Sequence, residues 1–369
     1  MKRKFIVLLM ITVIILNMTA CKKVPELTRY QAQFLELFDT VTTIVGYSDN
    51  KETFSEFAQS VYDDLKVYHE LYDKYNDYEG VNNIKTINDN AGIAPVVVDR
   101  KIIDMLLFGR EAYELSEGTV NVAFGAVLEV WHDYREAGTD DPENAEVPPM
   151  EILKEKAKHT DIYKMVIDES ASTVYLEDPD MSLDVGAIAK GYATEQVVQL
   201  AMEKGYTNGL LSVGGNVRSI GSKGYSVIAE KNEGIDVVAE DSWNVGIQNP
   251  VKESKEKYLY ILNLINLSLV SSGDYERYYT VDGVEYHHII DPATLMPGEN
   301  FTAVSIVTEN SGLADALSTA IFNLPYEKGL QLIEDLEGTE ALWVMSDGTL
   351  NFSSGFEALI KQGEESDED

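Results

Sequence analysis

The apolar residues of this chain switch repeatedly between a period of two and a period of three to four. They nowhere settle into a sustained strand–helix–strand alternation. That pattern favours an α+β fold of mixed, largely antiparallel sheets flanked by helices over a doubly wound parallel one. Residues 38–46 are β-branched and read as the first strand. Over 51–75, Phe54, Phe57, Val61, Leu65, Tyr68, Tyr72 and Tyr75 recur at helical spacing. Asp99 can cap a second helix, which Glu117-Gly118 ends, and 123–134 reads as a third helix carrying Trp131. Residues 138–149 read as an acidic loop. A hairpin is expected at 166–176, a short strand at 182–185 and a helix at 191–204. Strands follow at 209–213, 217–220, 225–229, 243–247 and 258–270. A further hairpin over 275–290 turns at Asp282-Gly283, a favoured type I′ pair. The pattern closes with a strand at 302–308, helices at 312–323 and 326–336, and a last core strand at 341–344.

The two ends read differently. Lys2, Arg3 and Lys4 precede an apolar run over 5–18 that is short for a membrane span. Met18-Thr19-Ala20-Cys21 then resembles a bacterial lipobox, with Cys21 as the lipidated residue. An ordinary signal peptide or an anchor helix is the alternative. The organisation expected is a lipoprotein signal peptide at 1–20, a tether at 21–33, a main domain of two subdomains at 34–360 and an acidic disordered tail at 361–369. The chain would then sit lipid-anchored on the extracytoplasmic face of a bacterial membrane. Cys21 is the single cysteine, so no disulfide can form within the chain. Lys and Arg number 29 against 63 Asp and Glu, a net charge of −34. A nucleic-acid partner is excluded on that balance, because phosphate backbones are held mainly by basic side chains.

Four segments could carry chemistry. The run from Leu183-Asp184-Val185-Gly186-Ala187 to Ile188-Ala189-Lys190-Gly191-Tyr192 leads a strand through a Gly/Ala turn into a helix. It suits an anion at a helix N-terminus but is neither a Walker A loop nor GxGxxG. Gly214-Gly215-Asn216 suggests a tight turn or a close approach by ligand. His287 and His288 alternate on a strand, so at most one faces a given site, where it could act as a base. On the 312–323 helix, which Ser311 can cap, Asp315 and Thr319 share a face with Ser318 adjacent. These are hard oxygen ligands of the kind Mg²⁺ takes, completed by water and phosphate. An ordinary structural role stays open for each segment taken alone.

Together and in this order the segments resemble the ApbE-type FAD:protein FMN transferases. Residues 183–192 look like the family's DLGGIAKGY segment, and Gly214-Gly215-Asn216 like its GGN/GGD turn. Trp243-Asn244-Val245-Gly246-Ile247-Gln248-Asn249-Pro250 looks like W-x-VGI-x-x-P. Ser272-Gly273-Asp274-Tyr275 and His288-Ile289-Ile290-Asp291-Pro292 look like SGDY and HIIDP, and residues 314–319 like ADALST. The likeness runs from about Phe38 to Gly348.

The resemblance implies a T-fold-like architecture and a Mg²⁺-dependent reaction, with Mn²⁺ as an alternative metal. FAD is cleaved, its FMN half joins a Ser or Thr of an exported or membrane flavoprotein through a phosphoester, and AMP leaves. By resemblance, Asp315, Thr319, Ser318 and the Ala187 carbonyl would hold the metal. Phe38, Asp184, Lys190, Ile290, Thr119, Val120 and Asn121 would contact FAD, with Tyr75 or Tyr78 packing on the flavin and His288 as base. Asn121 replaces the commoner Asp, and Ala293 and Leu295 stand where DPRTG has Arg and Gly. The 222–242 stretch is longer than usual and acidic. Competing readings are an FAD pyrophosphatase, a non-catalytic FAD-binding lipoprotein, and a solute-binding lipoprotein that the absence of βαβ lobes disfavours.

Overall fold

The structure is a computed structural model and describes residues 27–224, 241–251 and 254–361. In chain order the main elements begin with β1 (Thr28–Phe34), β2 (Thr42–Ser48), α1 (Lys51–Tyr72), α2 (Ile84–Asp89), β3 (Val96–Val97), α3 (Arg100–Leu115), α4 (Gly125–Asp140) and α5 (Met150–Lys156). They continue with β4 (Met165–Asp168), β5 (Thr173–Leu176), α6 (Ala189–Glu203), β6 (Gly209–Val213), β7 (Asn216–Ile220), β8 (Trp243–Gln248) and β9 (Tyr258–Leu264). The chain then forms β10 (Ser268–Gly273), β11 (Tyr278–Val281), β12 (Val284–His287), β13 (Phe301–Thr308), α7 (Ser311–Asn323), α8 (Tyr326–Glu334), β14 (Glu340–Met345) and β15 (Leu350–Phe352).

One eight-stranded antiparallel sheet, in the order β1-β2-β6-β7-β10-β13-β14-β15, organises the molecule. Its central strands are covered on both faces. Ile306 and Trp343 pack under α7 and α8, whereas Val307 and Leu342 pack against the β8–β9 hairpin on the other side. This explains why β13 reads as a nearly continuous apolar run. Each such side chain contributes about 1.5–3 kcal/mol by leaving water. Helices α1, α3 and α6 close over Ile44 and Leu211 of β2 and β6, and β3, β4 and β5 form a small antiparallel sheet beside them. Trp131 of α4, Tyr279 of β11 and Leu295 make a separate apolar cluster. The α+β expectation therefore holds.

Several boundaries are corrected. The tether read over 21–33 cannot run that far, because β1 pairs with β2 along its length, from Thr28 opposite Ser48 to Phe34 opposite Thr42. Tyr30, Ala32 and Phe34 face the core on a period of two, with polar residues between. The strand expected at 38–46 starts only at Thr42, since Phe38 and Asp39 hold left-handed φ values of 56° and 50°. Residues 182–185 are extended but pair with no strand: the Asn88 side-chain amide donates to Leu183 O and accepts from Leu183 N. Asn266, at φ 54°, breaks 258–270 into β9 and β10. Asn310, not Ser311, caps α7 by accepting from Leu313 N at 3.0 Å. β14 is followed by β15 rather than being the last strand, and α4 continues to Asp140, into the stretch read as a loop. The Asp282-Gly283 turn forms as expected, with φ 50° and 82°. Cys21, the 225–229 strand, most of the 222–242 stretch and the 362–369 tail lie outside the described residues.

Helices α6 and α7 meet almost backbone to backbone. A Cβ on Gly191 would stand 2.3 Å from Ser311 O and 2.4 Å from the Asp315 Cβ. Gly191→Ala is expected to destabilise the protein by about 1–3 kcal/mol through this overpacking. Urea denaturation of the two proteins at pH 7 checks it, and an unchanged midpoint would contradict the close contact.

Candidate active site

The site is built where the turn before α6, the first turns of α7 and the end of α1 converge. Asp315 is buried on α7, and its Oδ2 accepts a hydrogen bond from Gly191 N at 2.8 Å. Burial pushes the carboxyl above its ordinary value, against the opposing pull of Lys190, Gly191 N and the Asn216 amide. The Asn216 Nδ2 is buried beside it without completing a hydrogen bond, and Ser311 Oγ is likewise buried and unpartnered. Ser318 is already engaged: its Oγ donates to Asp315 O at 2.8 Å and meets Ser272 Oγ at 2.8 Å. Thr319 lies one turn beyond Asp315, half-buried, and Ala187 lies in the turn before α6. A buried carboxylate among hydroxyls and unsatisfied polar atoms suits a small divalent cation, so the donor set fits Mg²⁺. Among the described residues, the only group of three or more His, Cys, Asp or Glu with metal-like spacing is elsewhere: His159, Asp178 and Asp180. There Lys164 and His159 already contact Asp178 at about 3.0 Å and help hold its carboxyl down at about 2 against burial.

His288 follows β12. Its Nδ1 lies 3.2 Å from Arg277 O, and its backbone N–H donates to the same carbonyl. Burial, then the charges of Arg277, His287, Arg135 and Lys190, push the imidazole down to about 3. His288 is therefore held in its neutral form at physiological pH. Neither Arg277 nor Lys190 is within salt-bridge distance of a carboxylate among the described residues, and Arg135 bonds His132 at 3.0 Å. His287 points the other way, buried, with Nε2 at 2.8 Å from Gly298 O. The two side chains do diverge, but not by the alternation expected: β12 ends at His287, and His288 lies in the bend that follows.

At the end of α1, Lys74 pairs with Asp184 at 2.7 Å, and Asp184 Oδ1 accepts from Gly186 N at 2.8 Å. Burial would raise the Asp184 carboxyl, but Lys74 and Gly186 N hold it below the ordinary value. Lys74 also lies 4.9 Å from the Tyr75 ring centre, and His132 packs on Tyr75 at 5.5 Å. Tyr75 is 54% exposed, whereas Tyr78 is tied to Asp73 at 2.8 Å and approaches His69 at 3.3 Å. The Phe38 backbone N–H donates to His69 Nδ1, and the Phe38 ring sits edge-on to that imidazole. Of the two candidate tyrosines, Tyr75 has the more exposed ring.

Other expected contacts are used structurally. The Val120 side chain is in the core, so it can reach a ligand only through its backbone. Thr119 Oγ1 donates to Ser116 O. The Asn121 amide donates to Thr160 O at 2.9 Å, a bond that the commoner Asp could not make. Ile290 is buried against α4. Leu295 occupies a left-handed φ of 63°, which explains the glycine usual there; its burial offsets a strain of about 1–2 kcal/mol. Lys74, His69, Arg135, Arg277 and Glu195 escaped the sequence reading. Lys74 alone had a local signal, as the cation next to Tyr75.

The arrangement brings a buried carboxylate, hydroxyl oxygens, an uncharged imidazole and several cationic side chains into one region. The profile of the ApbE family matches residues 38–343. The chain is 36% identical over 278 residues to the FAD:protein FMN transferase of Treponema pallidum, covering 74% of this chain and 73% of that protein. It is 27% identical to the FAD:protein FMN transferase of Klebsiella pneumoniae, over 77% and 83%. The crystal structure of the ApbE protein from Thermotoga maritima superposes with a TM-score of 0.75 at 28% identity, covering 91% of this chain and all of that one. The chain belongs to the ApbE family, and it is an enzyme.

The Lys74–Asp184 pair yields a pH prediction. Burial would lower Lys74, but Asp184 raises it above its ordinary value, while Asp184 is lowered. Stability from the carboxylate is present above its unfolded value near 3.8 and is lost as pH falls through the lowered folded value. Stability from the ammonium is present below 10.5 and is lost as pH rises through the raised folded value. Lys74→Met is therefore expected to cost about 1.5–3 kcal/mol at pH 7. In urea melts the difference should shrink progressively below about pH 4, and a constant difference down to pH 2 would refute the assignment.

Proposed function

We propose that this ApbE-family enzyme is an FAD:protein FMN transferase that uses Mg²⁺, or Mn²⁺, and releases AMP. The observation that carries the reading is the buried Asp315 carboxylate, held by Gly191 N beside the unpartnered Asn216 Nδ2, with Lys190 acting both on it and on His288. In the proposed reaction an acceptor Ser or Thr oxygen attacks the FMN-side phosphorus of FAD. The P–O bond to the bridging oxygen breaks, AMP leaves with that oxygen, and His288 takes the hydroxyl proton. Lys190, Arg135 and Arg277 offset the charge gathering on the phosphoryl oxygens. Asp315 and Thr319, with Ser318 and the Ala187 carbonyl nearby, would hold the metal, which supplies Lewis-acid polarisation of the diphosphate. Tyr75 is the flavin platform in this reading, with Phe38, Tyr78, Thr119, Val120, Asn121, Asp184 and Ile290 around the remainder. A lipid on Cys21 would place the enzyme on the outer face of a bacterial membrane, beside exported or membrane flavoproteins. Each buried acyl CH₂ contributes about 0.8 kcal/mol, holding there a body whose acidity would not favour an anionic surface.

Asp315→Asn keeps an acceptor for Gly191 N, so the fold is expected to persist while metal-dependent AMP release falls below detection. Unchanged turnover would remove the metal assignment. His288→Ala should slow FMN transfer about 10²–10⁴-fold, with FAD affinity within a few-fold by flavin fluorescence. Equal losses in both would make His288 a binding residue. Because His288 is depressed to about 3, the imidazole is protonated only in strong acid. The kcat/KM profile should thus carry no histidine limb at the ordinary value of 6.5. Incubation with FAD, Mg²⁺ and an acceptor flavoprotein tests the whole reading. AMP with an FMN-sized adduct supports it, AMP alone indicates hydrolysis, and retained FAD without AMP indicates a binding protein.

A further inference from the structure

Between α6, β7 and α7 lies a buried charged cluster that touches none of the groups assigned to the reaction. Glu195 on α6 and Arg218 on β7 form an ion pair at 3.0 Å, with each side chain only 5% exposed. Glu195 Oε2 accepts from Arg218 Nε and also, at 2.8 Å, from the backbone N–H of Ser311, the first residue of α7. Its Oε1 accepts from Gln199 Nε2 at 2.6 Å. Arg218 completes its own bonding through Nη1 to Ser219 O at 2.7 Å. A pair so desolvated is weak evidence of stabilisation, because taking both charges out of water offsets much of their attraction.

Its placement is more informative. Glu195 and Gly191 are one turn apart on α6, and Ser311 and Asp315 are one turn apart on α7. The Glu195 carboxylate receives the Ser311 N–H, while the Asp315 carboxylate receives the Gly191 N–H at 2.8 Å. The two helices are thus clasped reciprocally, each by a carboxylate from the other. The absence of a side chain on Gly191 lets the clasp close. Breaking one half removes one of the two polar bonds that set the register of α7 against α6, on which the aim of the Asp315 carboxylate depends.

We propose that Glu195 is a positioning residue for metal binding: it fixes the register of α7 through Ser311 N and so aims Asp315 at the cation. The proposal rests on the reading of Asp315 as a metal ligand. Groups that orient metal ligands characteristically alter affinity about 10–100-fold when removed, and a loss of that size is expected here.

The test is Mn²⁺ binding, read by electron paramagnetic resonance in the presence of ADP as an unreactive diphosphate, with thermal midpoints measured alongside. Asp315→Asn is the control for the underlying reading. If it binds Mn²⁺ like the wild type, that reading fails, whatever Glu195 does. If it loses binding, the Glu195 variants decide the inference. Glu195→Gln keeps an oxygen for Ser311 N and should bind Mn²⁺ within about threefold of the wild type, even with a lowered midpoint. The double variant Glu195→Met with Arg218→Met removes both charges but leaves Ser311 N without an acceptor. It should bind about 10–100-fold more weakly even if its midpoint matches that of Glu195→Gln. Equal Mn²⁺ affinity in these two proteins, whether both strong or both weak, overturns the proposal. Should the double variant fail to fold, Glu195→Asp keeps the charge but draws the acceptor back from Ser311. It should show the same weakening, and wild-type affinity there overturns the proposal equally.

Discussion

The close approach of α6 and α7 is the constraint on which the rest depends. Gly191 has no Cβ, so the backbone of α6 lies against Ser311 and Asp315. Only at that distance can Gly191 N reach the Asp315 carboxylate. One contact thereby joins the turn–helix segment carrying Asp184 and Lys190 to the helix carrying Asp315, Ser318 and Thr319. The sheet beneath supplies the base for both helices, and its double-sided burial keeps that base rigid.

The electrostatics of the site run against those of the whole chain. A protein of net charge −34 gathers Lys190, Arg135 and Arg277 around one imidazole and leaves Arg277 and Lys190 without salt bridges among the described residues. Lys74, by contrast, is neutralised by Asp184. Burial, with these cations behind it, keeps His288 unprotonated, while Lys190 and Arg135 also act on the carboxylates of Asp315 and Asp184. In the proposed reaction the same residues would receive the negative substrate and keep the imidazole free of a proton.

Much of this was legible in the sequence. The period changes gave the α+β class, and Asp282-Gly283 gave its hairpin. The ordered motifs resembled a family whose profile spans 38–343. What failed did so for local reasons. Leu183 bonds to the Asn88 side-chain amide, and Asp184 N to Val122 O, rather than to a neighbouring strand. The β1 segment TRYQAQF carries too little apolar content to announce itself, yet an edge strand needs only one face buried. The Asn310 cap was displaced by one residue because Ser311 is an equally good capping type.

The sequence by itself determined which chemical groups are available and, through periodicity and turn residues, which elements carry them, because those signals are local and short-ranged. Tertiary structure alone decided that Lys74 meets Asp184, that Arg135 and Arg277 flank His288, and that Glu195 receives the Ser311 N–H across 116 positions of chain. Those pairings depend on how helices and strands pack, and packing distances carry no trace in a periodic pattern. The charge state of His288 and the burial of Asp315 follow from the same cause, since desolvation and neighbouring charge exist only once the chain has folded around them.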